Sequence, residues 1–270
     1  MSNDVQYRSG AANTDRGFSP AVWGSCPLDQ LLIQSRDGYF HRDDFLSGPL
    51  VAAGAEAKTG TYLGFADTAS SVATGDEIGG TLVLTGTTQD KAAGFRTACA
   101  PFQISRAHGK FWFECRIKAS AITDAKCGIF VGLMEDTAIT TAIPIVSTTG
   151  TQTLADKNFV GFHRLAADGA HIDTVYKVTG VTQVSVQTDA VTIVADTYVK
   201  LGMVFDPRDR VLRFYVNGVE LSTSKTIPSA SGTDFPNHVR LGLVVAQSCA
   251  SSTTPGSAEI DWWAAAQLSV

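Results

Sequence analysis

Nothing in this chain is long and apolar enough to cross a bilayer. Its longest apolar runs are of the size of Ile129-Phe130-Val131-Gly132-Leu133-Met134, well short of the ~20 residues that a spanning helix needs. The segment Met1 to Arg8 has neither the basic stretch nor the apolar core of a secretory signal, so synthesis and folding in a cytoplasm are expected. Cysteine is sparse: Cys26, Cys99, Cys115, Cys127 and Cys249 are odd in number and never spaced C-x-x-C. That pattern disfavours a zinc module and a disulfide framework, although two thiols meeting in space is not thereby excluded. There is no run of Lys and Arg, and the net charge is −5 with a pI near 5.5. Phosphate binding needs a basic footprint, so nucleic acid is not an expected partner, and with apolar runs this short neither is a membrane. Catalytic motifs are missing as well. The sequence holds no G-x-S-x-G elbow, no G-x-x-x-x-G-K-[ST] or G-x-G-x-x-G loop, and no D-x-[DN]-x-[DN]-G calcium loop.

What is present is β patterning. Hydrophobic residues make up 44% and charged residues 17% of the 270 positions, as in a globular chain with a filled interior. Val199, Leu201, Met203 and Phe205 alternate with Tyr198, Lys200, Gly202 and Val204, and Leu212, Phe214 and Val216 alternate with Val211, Arg213 and Tyr215. The turn Asp206-Pro207-Arg208-Asp209 separates these runs, and Asn217-Gly218 closes the next one with the positive φ angles of a type I′ turn. Lys110 to Lys118 places Phe111, Phe113, Cys115 and Ile117 inward and Trp112, Glu114 and Arg116 outward. Further strands are expected at 81–85, 93–97, 128–134, 159–163, 174–178, 191–194, 238–246 and 258–264, the last with Ile260 and Trp262 on one side. Gly128 to Met134 and Phe159 to His163 are apolar on both faces, as strands covered from both sides are. Their segments Phe130-Val131-Gly132-Leu133 and Phe159-Val160-Gly161-Phe162 look alike, with nothing repeated around them. Thr, Ser, Ala and Gly dominate 50–80, 136–157 and 222–236, which read as loops.

Residues 1–36 differ from the rest. They lack periodicity up to Pro20 and then offer one short helix near Pro27 to Ile33, with Leu28, Leu31 and Leu32 on one face. The expected organisation is therefore an N-terminal arm over 1–36 and a β-sandwich domain over 37–270. The fold class is all-β, an antiparallel sandwich.

Several segments resemble the concanavalin A-like lectin/glucanase jelly roll, laminin-G-like domains included. They are Gly109 to Arg116, Gly128 to Leu133, Val199 to Asp206, Leu212 to Gly218 and Ala258 to Trp263, together covering roughly 80–268. The chain as a whole, with Phe40-His41-Arg42-Asp43-Asp44-Phe45-Leu46, also resembles structural proteins of tailed bacteriophages. That resemblance implies a virion protein, of the capsid decoration, head-fibre or tail-adhesion kind.

The glucanase branch of the fold implies an E-x-D-x-x-E strand, whose glutamates flank a glycosidic bond. Here Glu259-Ile260-Asp261-Trp262-Trp263-Ala264 supplies the first two acids and ends in alanine. Glu259 and Asp261 then read as the solvent face of an edge or outer strand. His41-Arg42-Asp43-Asp44 reads as an ion-paired turn, with His41 and Asp43 on one side. His163, His171 and Asp173 are metal-ligand types, but neither a metal nor any other cofactor is assigned from them. Asp206, Asp209 and Asp234 fall in turns, where Asp is common in any case. Trp112, and either Trp262 or Trp263, are the aromatics that could reach a sugar or a partner surface, with burial inside the sandwich as the plainer alternative.

The leading expectation is a non-enzymatic capsid decoration protein on the virion surface, bound to the major capsid protein and self-associating, with a trimer first in mind. Its anchor would be Val22, Trp23, Leu28, Leu31 and Leu32, apolar groups without an evident partner inside the domain. The alternative is a carbohydrate-binding head-fibre or tail module, with Trp112 and Trp263 as its candidate glycan or interface aromatics. An arm folded onto its own domain would leave that alternative open.

Overall fold

The alternating segments of the sequence assemble into two antiparallel sheets packed face to face. A computed structural model describes residues 16–34, 36–77, 79–122, 127–136, 143–229, 234–251 and 256–269. Residues 1–15 of the expected arm lie outside that set. Two short helices come first, α1 (Pro20–Trp23) and α2 (Leu28–Ile33). The first strands are β1 (Gly38–Asp43), β2 (Glu56–Thr59), β3 (Tyr62–Ala66), β4 (Ser70–Thr74), β5 (Leu82–Gly86) and β6 (Ala92–Thr97). Next come β7 (Phe111–Ala119), β8 (Cys127–Glu135), β9 (Ile145–Thr148), β10 (Thr151–Leu154), β11 (Phe159–Arg164), β12 (His171–Lys177) and β13 (Val184–Thr192). The last are β14 (Val199–Asp206), β15 (Val211–Val216), β16 (Val219–Glu220), β17 (Lys225–Thr226), β18 (Leu241–Cys249) and β19 (Gly256–Leu268).

One sheet runs β16-β15-β14-β7-β19-β5-β4, with β1 on the far half of the long strand β19 and β17 beside β15. The other runs β13-β12-β11-β8-β18-β6-β3-β2. Between them lies the main core, to which β7 contributes Phe111, Phe113, Cys115 and Ile117 as its alternation predicts. Asn217 and Gly218 have φ of 51° and 76°, the left-handed pair that a tight turn into β16 requires. The two look-alike glycine segments are antiparallel neighbours, with Gly132 directly opposite Gly161. A Cβ on Gly161 would sit 2.4 Å from the Val131 carbonyl oxygen, so the two backbones approach too closely for any side chain between them.

Strands β2 to β4 and the β9–β10 hairpin fall within the 50–80 and 136–157 stretches that composition reads as loops. Alternation there is carried by Ala, Gly, Ser and Thr, and small residues leave a weak period-two signal.

The outer faces of both sheets are covered over part of their area. Helices α1 and α2 bury Val22, Trp23 and Leu31 against Trp112, Val204, Tyr215, Trp262, Ala264 and Ala266 of the first sheet. Phe18 stacks on Trp23 with ring centroids 4.8 Å apart. The β9–β10 hairpin lays Ile145 and Leu154 on Phe130, Phe159, Val175 and Val244 of the second. Residues 16–34 thus serve as a lid on their own sheet, and the outward face of β7 is an interior surface.

A β-bulge in β19 changes which tryptophan faces the core. Ile260 pairs with Ile117 and Trp262 with Arg116, leaving Asp261 as the extra residue. Ile260 and Trp263 therefore point into the main core, while Trp262 joins the layer under the helices. Ile260 and Trp262 do not share a side, because the bulge resets the alternation between them.

Candidate functional site

At the end of the sandwich where β7 begins, three adjoining hollows wrap around the 103–108 loop. Their volumes are about 640, 370 and 530 Å³, and Gln103, Arg106, Ala107 and His108 each line two of the three. Further walls come from the 206–208 turn after β14, from Pro228, Ser229, Asn237, His238 and Arg240 ahead of β18, and from the end of β19. One amide holds this groove in shape. Gln267, buried near the end of β19, accepts from Tyr39 Oη at 2.7 Å and from the Gln103 amide at 3.0 Å. Its Nε2 donates to the carbonyls of Gln103 at 2.8 Å and Gly109 at 3.3 Å. Gln103 Nε2 in turn donates to the Asn237 carbonyl at 2.9 Å, and Asn237 Nδ2 to the Pro228 carbonyl at 3.1 Å. Three segments distant in sequence, at Tyr39, at 103–109 and at Pro228 with Asn237, are thereby tied to one strand end.

Charge is distributed unevenly in the groove. Arg106, Arg208 and Arg240 are exposed lining residues. None has a carboxylate at ion-pair distance among the described residues. Lys110 lies 3.4 Å from Asp206 and 5.5 Å from the centre of the Trp112 ring. Asp206 is the one carboxylate among the described lining residues, and its Oδ1 accepts from the Arg208 amide at 2.9 Å.

A second polar group lies at the opposite end of the sandwich. His163, Asp168 and Asp173 bring one ligand atom each to within 4.8 Å of one another. The spacing of His171 and Asp173 in the sequence suggested that pair, but His171 turns instead to Asp189, at 3.7 Å. Asp168 enters through the short 3-10 turn at Ala166–Asp168. His163 Nδ1 is buried and makes no hydrogen bond, lying 3.5 Å from Asp168 Oδ2. Burial raises both carboxyls. In Asp168 the His163 ring and the Leu165 N–H outweigh it and hold the group below its ordinary range, whereas in Asp173 burial prevails over the Asp189 N–H. One imidazole and two carboxylates form a donor set of the kind that divalent cations take.

The residues picked from sequence are placed differently from expectation. Val22, Trp23 and Leu31 are fully buried on the chain's own sheet, Leu28 is partly buried beside them, and Leu32 is 67% exposed. The apolar arm does have an intradomain partner, which the face of Trp112 and Trp262 supplies. Leu32 lies about 100° around the helix from Leu31, and in this short helix the sheet covers the Leu31 side while Leu32 is left facing outward. Trp112 and Trp263 are both 0% exposed, the first beneath α1 and the second in the main core, so neither presents a ring to a sugar or a partner.

Glu259 and Asp261 are not on a solvent face either, because β19 is an inner strand. Asp261 is 1% exposed and pairs with Arg116 and Arg16, the Arg16 Nε bond being 3.0 Å. Glu259 accepts from Tyr198 Oη at 2.8 Å and pairs with Lys118 at 3.2 Å. The Arg116 guanidinium stacks 3.8 Å above the Tyr198 ring. His41 and Asp43 do share a side, both bonding the Tyr62 hydroxyl. All five cysteines are free thiols, although Cys127 and Cys249 are cross-strand neighbours on β8 and β18.

No protein-family model matches the sequence, and no curated protein matches it. Solved structures do resemble the fold. A winged bean acidic lectin complexed with methyl-α-D-galactose aligns at TM-score 0.57 and 11% identity, covering 86% of this chain and 99% of that one. Peanut lectin aligns at 0.56 and 15%, over 87% and 99% of the two chains. The carbohydrate recognition domain of Emp47p aligns at 0.53 and 14%, over 87% and 98%. At these identities the likeness is one of fold: the chain is an antiparallel sandwich of the concanavalin A-like jelly-roll type.

Proposed function

We propose that this chain is a non-enzymatic carbohydrate-binding module whose ligand lies in the groove around residues 103–108. The observation that carries the reading is the groove itself. It is open, walled by amides, hydroxyls and imidazoles, and held rigid from below by Gln267. A pre-shaped polar cleft suits a ligand whose surface is mostly hydroxyl, since little ordering is needed on binding. The sandwich shared with lectins is consistent with this role. Glycosidic hydrolysis would call for two carboxylates, whereas Asp206 is the one carboxylate among the described lining residues.

The capsid-anchor expectation rested on arm residues without an intradomain partner, and of these Val22, Trp23, Leu31 and, in part, Leu28 are occupied by their own sheet, while Leu32 is exposed. Host-surface glycans recognised from a virion fibre or tail remain one setting for the module.

The test is a glycan array with the full chain, followed by calorimetry on the best binder for wild type and Ala107→Trp. Ala107 is exposed and lines two of the hollows, so an indole there fills the cleft without touching the core. Binding that is lost in Ala107→Trp supports the assignment. No glycan binding by the folded chain, or binding indifferent to that substitution, refutes it.

A further inference from the structure

The chain as a whole is acidic, with 26 Asp and Glu against 21 Lys and Arg. The groove reverses that balance. Arg106, Lys110, Arg208 and Arg240 line it, with Asp206 as their one acidic companion among the described residues. Outside the groove, many of the cations pair with carboxylates of the protein itself: Arg16 and Arg116 with Asp261, Lys118 with Glu77 and Glu259, Arg213 with Asp209 and Glu220, Lys225 with Asp234. Three exposed arginines without a carboxylate partner among the described residues line the adjoining hollows of this groove, a local excess of positive charge that an anionic ligand would offset.

We infer that the groove binds acidic saccharides, whose carboxylate or sulfate groups pair with Arg106, Arg208 and Arg240. This deepens the carbohydrate-binding reading and rests on it. Guanidinium suits the task because its planar fork of N–H donors matches the two oxygens of a carboxylate or a sulfate ester. The three arginines reach the ligand from separate walls. Arg106 belongs to the 103–108 loop, Arg208 to the β14–β15 turn, and Arg240 to the segment leading into β18. A saccharide lying along the groove would meet them in succession, which favours an oligosaccharide with several charged residues over a single charged sugar. The sugar rings would lie against the polar walls between them, near Gln103, Ser105 and Asn237.

The test uses matched oligosaccharides of equal length, one neutral, one carrying uronate carboxylates and one carrying sulfate esters, with inorganic polyphosphate as a non-sugar anion. Affinities are measured by calorimetry for wild type, for Arg106→Gln, Arg208→Gln and Arg240→Gln singly and together, and for Lys58→Gln as a distant, exposed charge control. An acidic saccharide should bind at least about tenfold more tightly than the neutral one. Its affinity should fall as salt rises from about 0.05 M to about 0.5 M, because exposed charge pairs are screened over that range. Each single substitution should weaken binding by about tenfold. The triple variant should lose the acidic preference, and Lys58→Gln should change nothing. The uronate and sulfate arms identify which anion is read. Equal binding of neutral and acidic sugars, or a triple variant that keeps the preference, overturns the inference while leaving carbohydrate binding intact. Polyphosphate binding as tight as that of the acidic sugars also overturns it, since the sugar would then contribute nothing. Failure to bind any saccharide refutes the carbohydrate reading itself.

Discussion

Trp23 donates its indole N–H to Glu114 Oε2 at 2.9 Å, and the same oxygen accepts the Ser19 amide at 3.0 Å. A carboxylate from the middle of β7 thus holds the lid formed by residues 16–34. Truncating Trp23 to Ala removes this bond and one of the largest fully buried side chains. A loss of about 3–5 kcal/mol of stability is expected. Denaturant unfolding measures it, and faster proteolysis within 16–34 would place the loosening in the lid.

Glu114 should also make stability depend on pH. Burial pushes its carboxyl above the ordinary value, against the pull of Ser19, Lys200 and Trp23. The folded state then binds the proton more tightly than the unfolded one. The contribution of this group is greatest at low pH and declines as pH rises from about 4.5 through the raised value. Glu114→Gln keeps an acceptor for Trp23 but cannot ionise, so its stability profile should lack that decline. Parallel melts of the two proteins across the acid to neutral range give the comparison.

Asp261→Asn should cost about 3–5 kcal/mol, because it leaves the Arg116 guanidinium buried with its partner neutralised. The same change weakens the link to Arg16, so hydrogen exchange should rise in residues 16–34 as well as around the bulge in β19. Unchanged exchange in the lid would contradict the described link.

Gly161→Ala inserts a methyl group where the neighbouring backbone oxygen lies 2.4 Å away. Separation of β8 from β11 by at least about 0.6 Å is required, at a cost of about 1–3 kcal/mol. Calorimetric melting of wild type and variant provides the measure.

Thiol titration distinguishes the cysteines. Cys99 is exposed and should react at once, whereas Cys26, half-buried and with burial pushing its thiol up to about 12, should react slowly. Cys115, Cys127 and Cys249 are buried and should react only in denaturant. Fewer than five thiols after unfolding under non-reducing conditions would reveal a Cys127–Cys249 bond between the paired strands.

The strands around Val199 to Leu221 were legible because large apolar residues alternate there and Asn217-Gly218 punctuates them. Legibility fails in two ways. In β2 to β4 and in the β9–β10 hairpin, alanine, threonine and glycine hide the alternation. On the outward face of β7, the alternation sorts the side chains to the right faces but carries no sign of what covers them. Trp112, Glu114 and Arg116 look solvent-facing until a lid from a distant part of the chain covers them. A hint was available, since Glu114 and Arg116 on an otherwise apolar strand, and Asp261 beside two tryptophans, are charges in places that usually require a buried partner. The groove carries no local motif at all. Arg106, Arg208 and Arg240 lie in separate loops, and only the strand order brings those loops to one end.

Strand β19 has a consequence for how the molecule comes to be made. It lies between β7 on one side and β5 and β1 on the other. It is also the last of the described strands to leave the ribosome. Until it arrives, β1, β4 and β5 have no connection through this sheet to β7, β14 and β15, and the Asp261 bridge to the lid is missing. Assembly of the first sheet is thus a late event with long loops to close, and a slow refolding phase should track the docking of this one strand. During that interval the unfilled slot beside β7 is an exposed strand edge, the feature most apt to capture a second nascent copy.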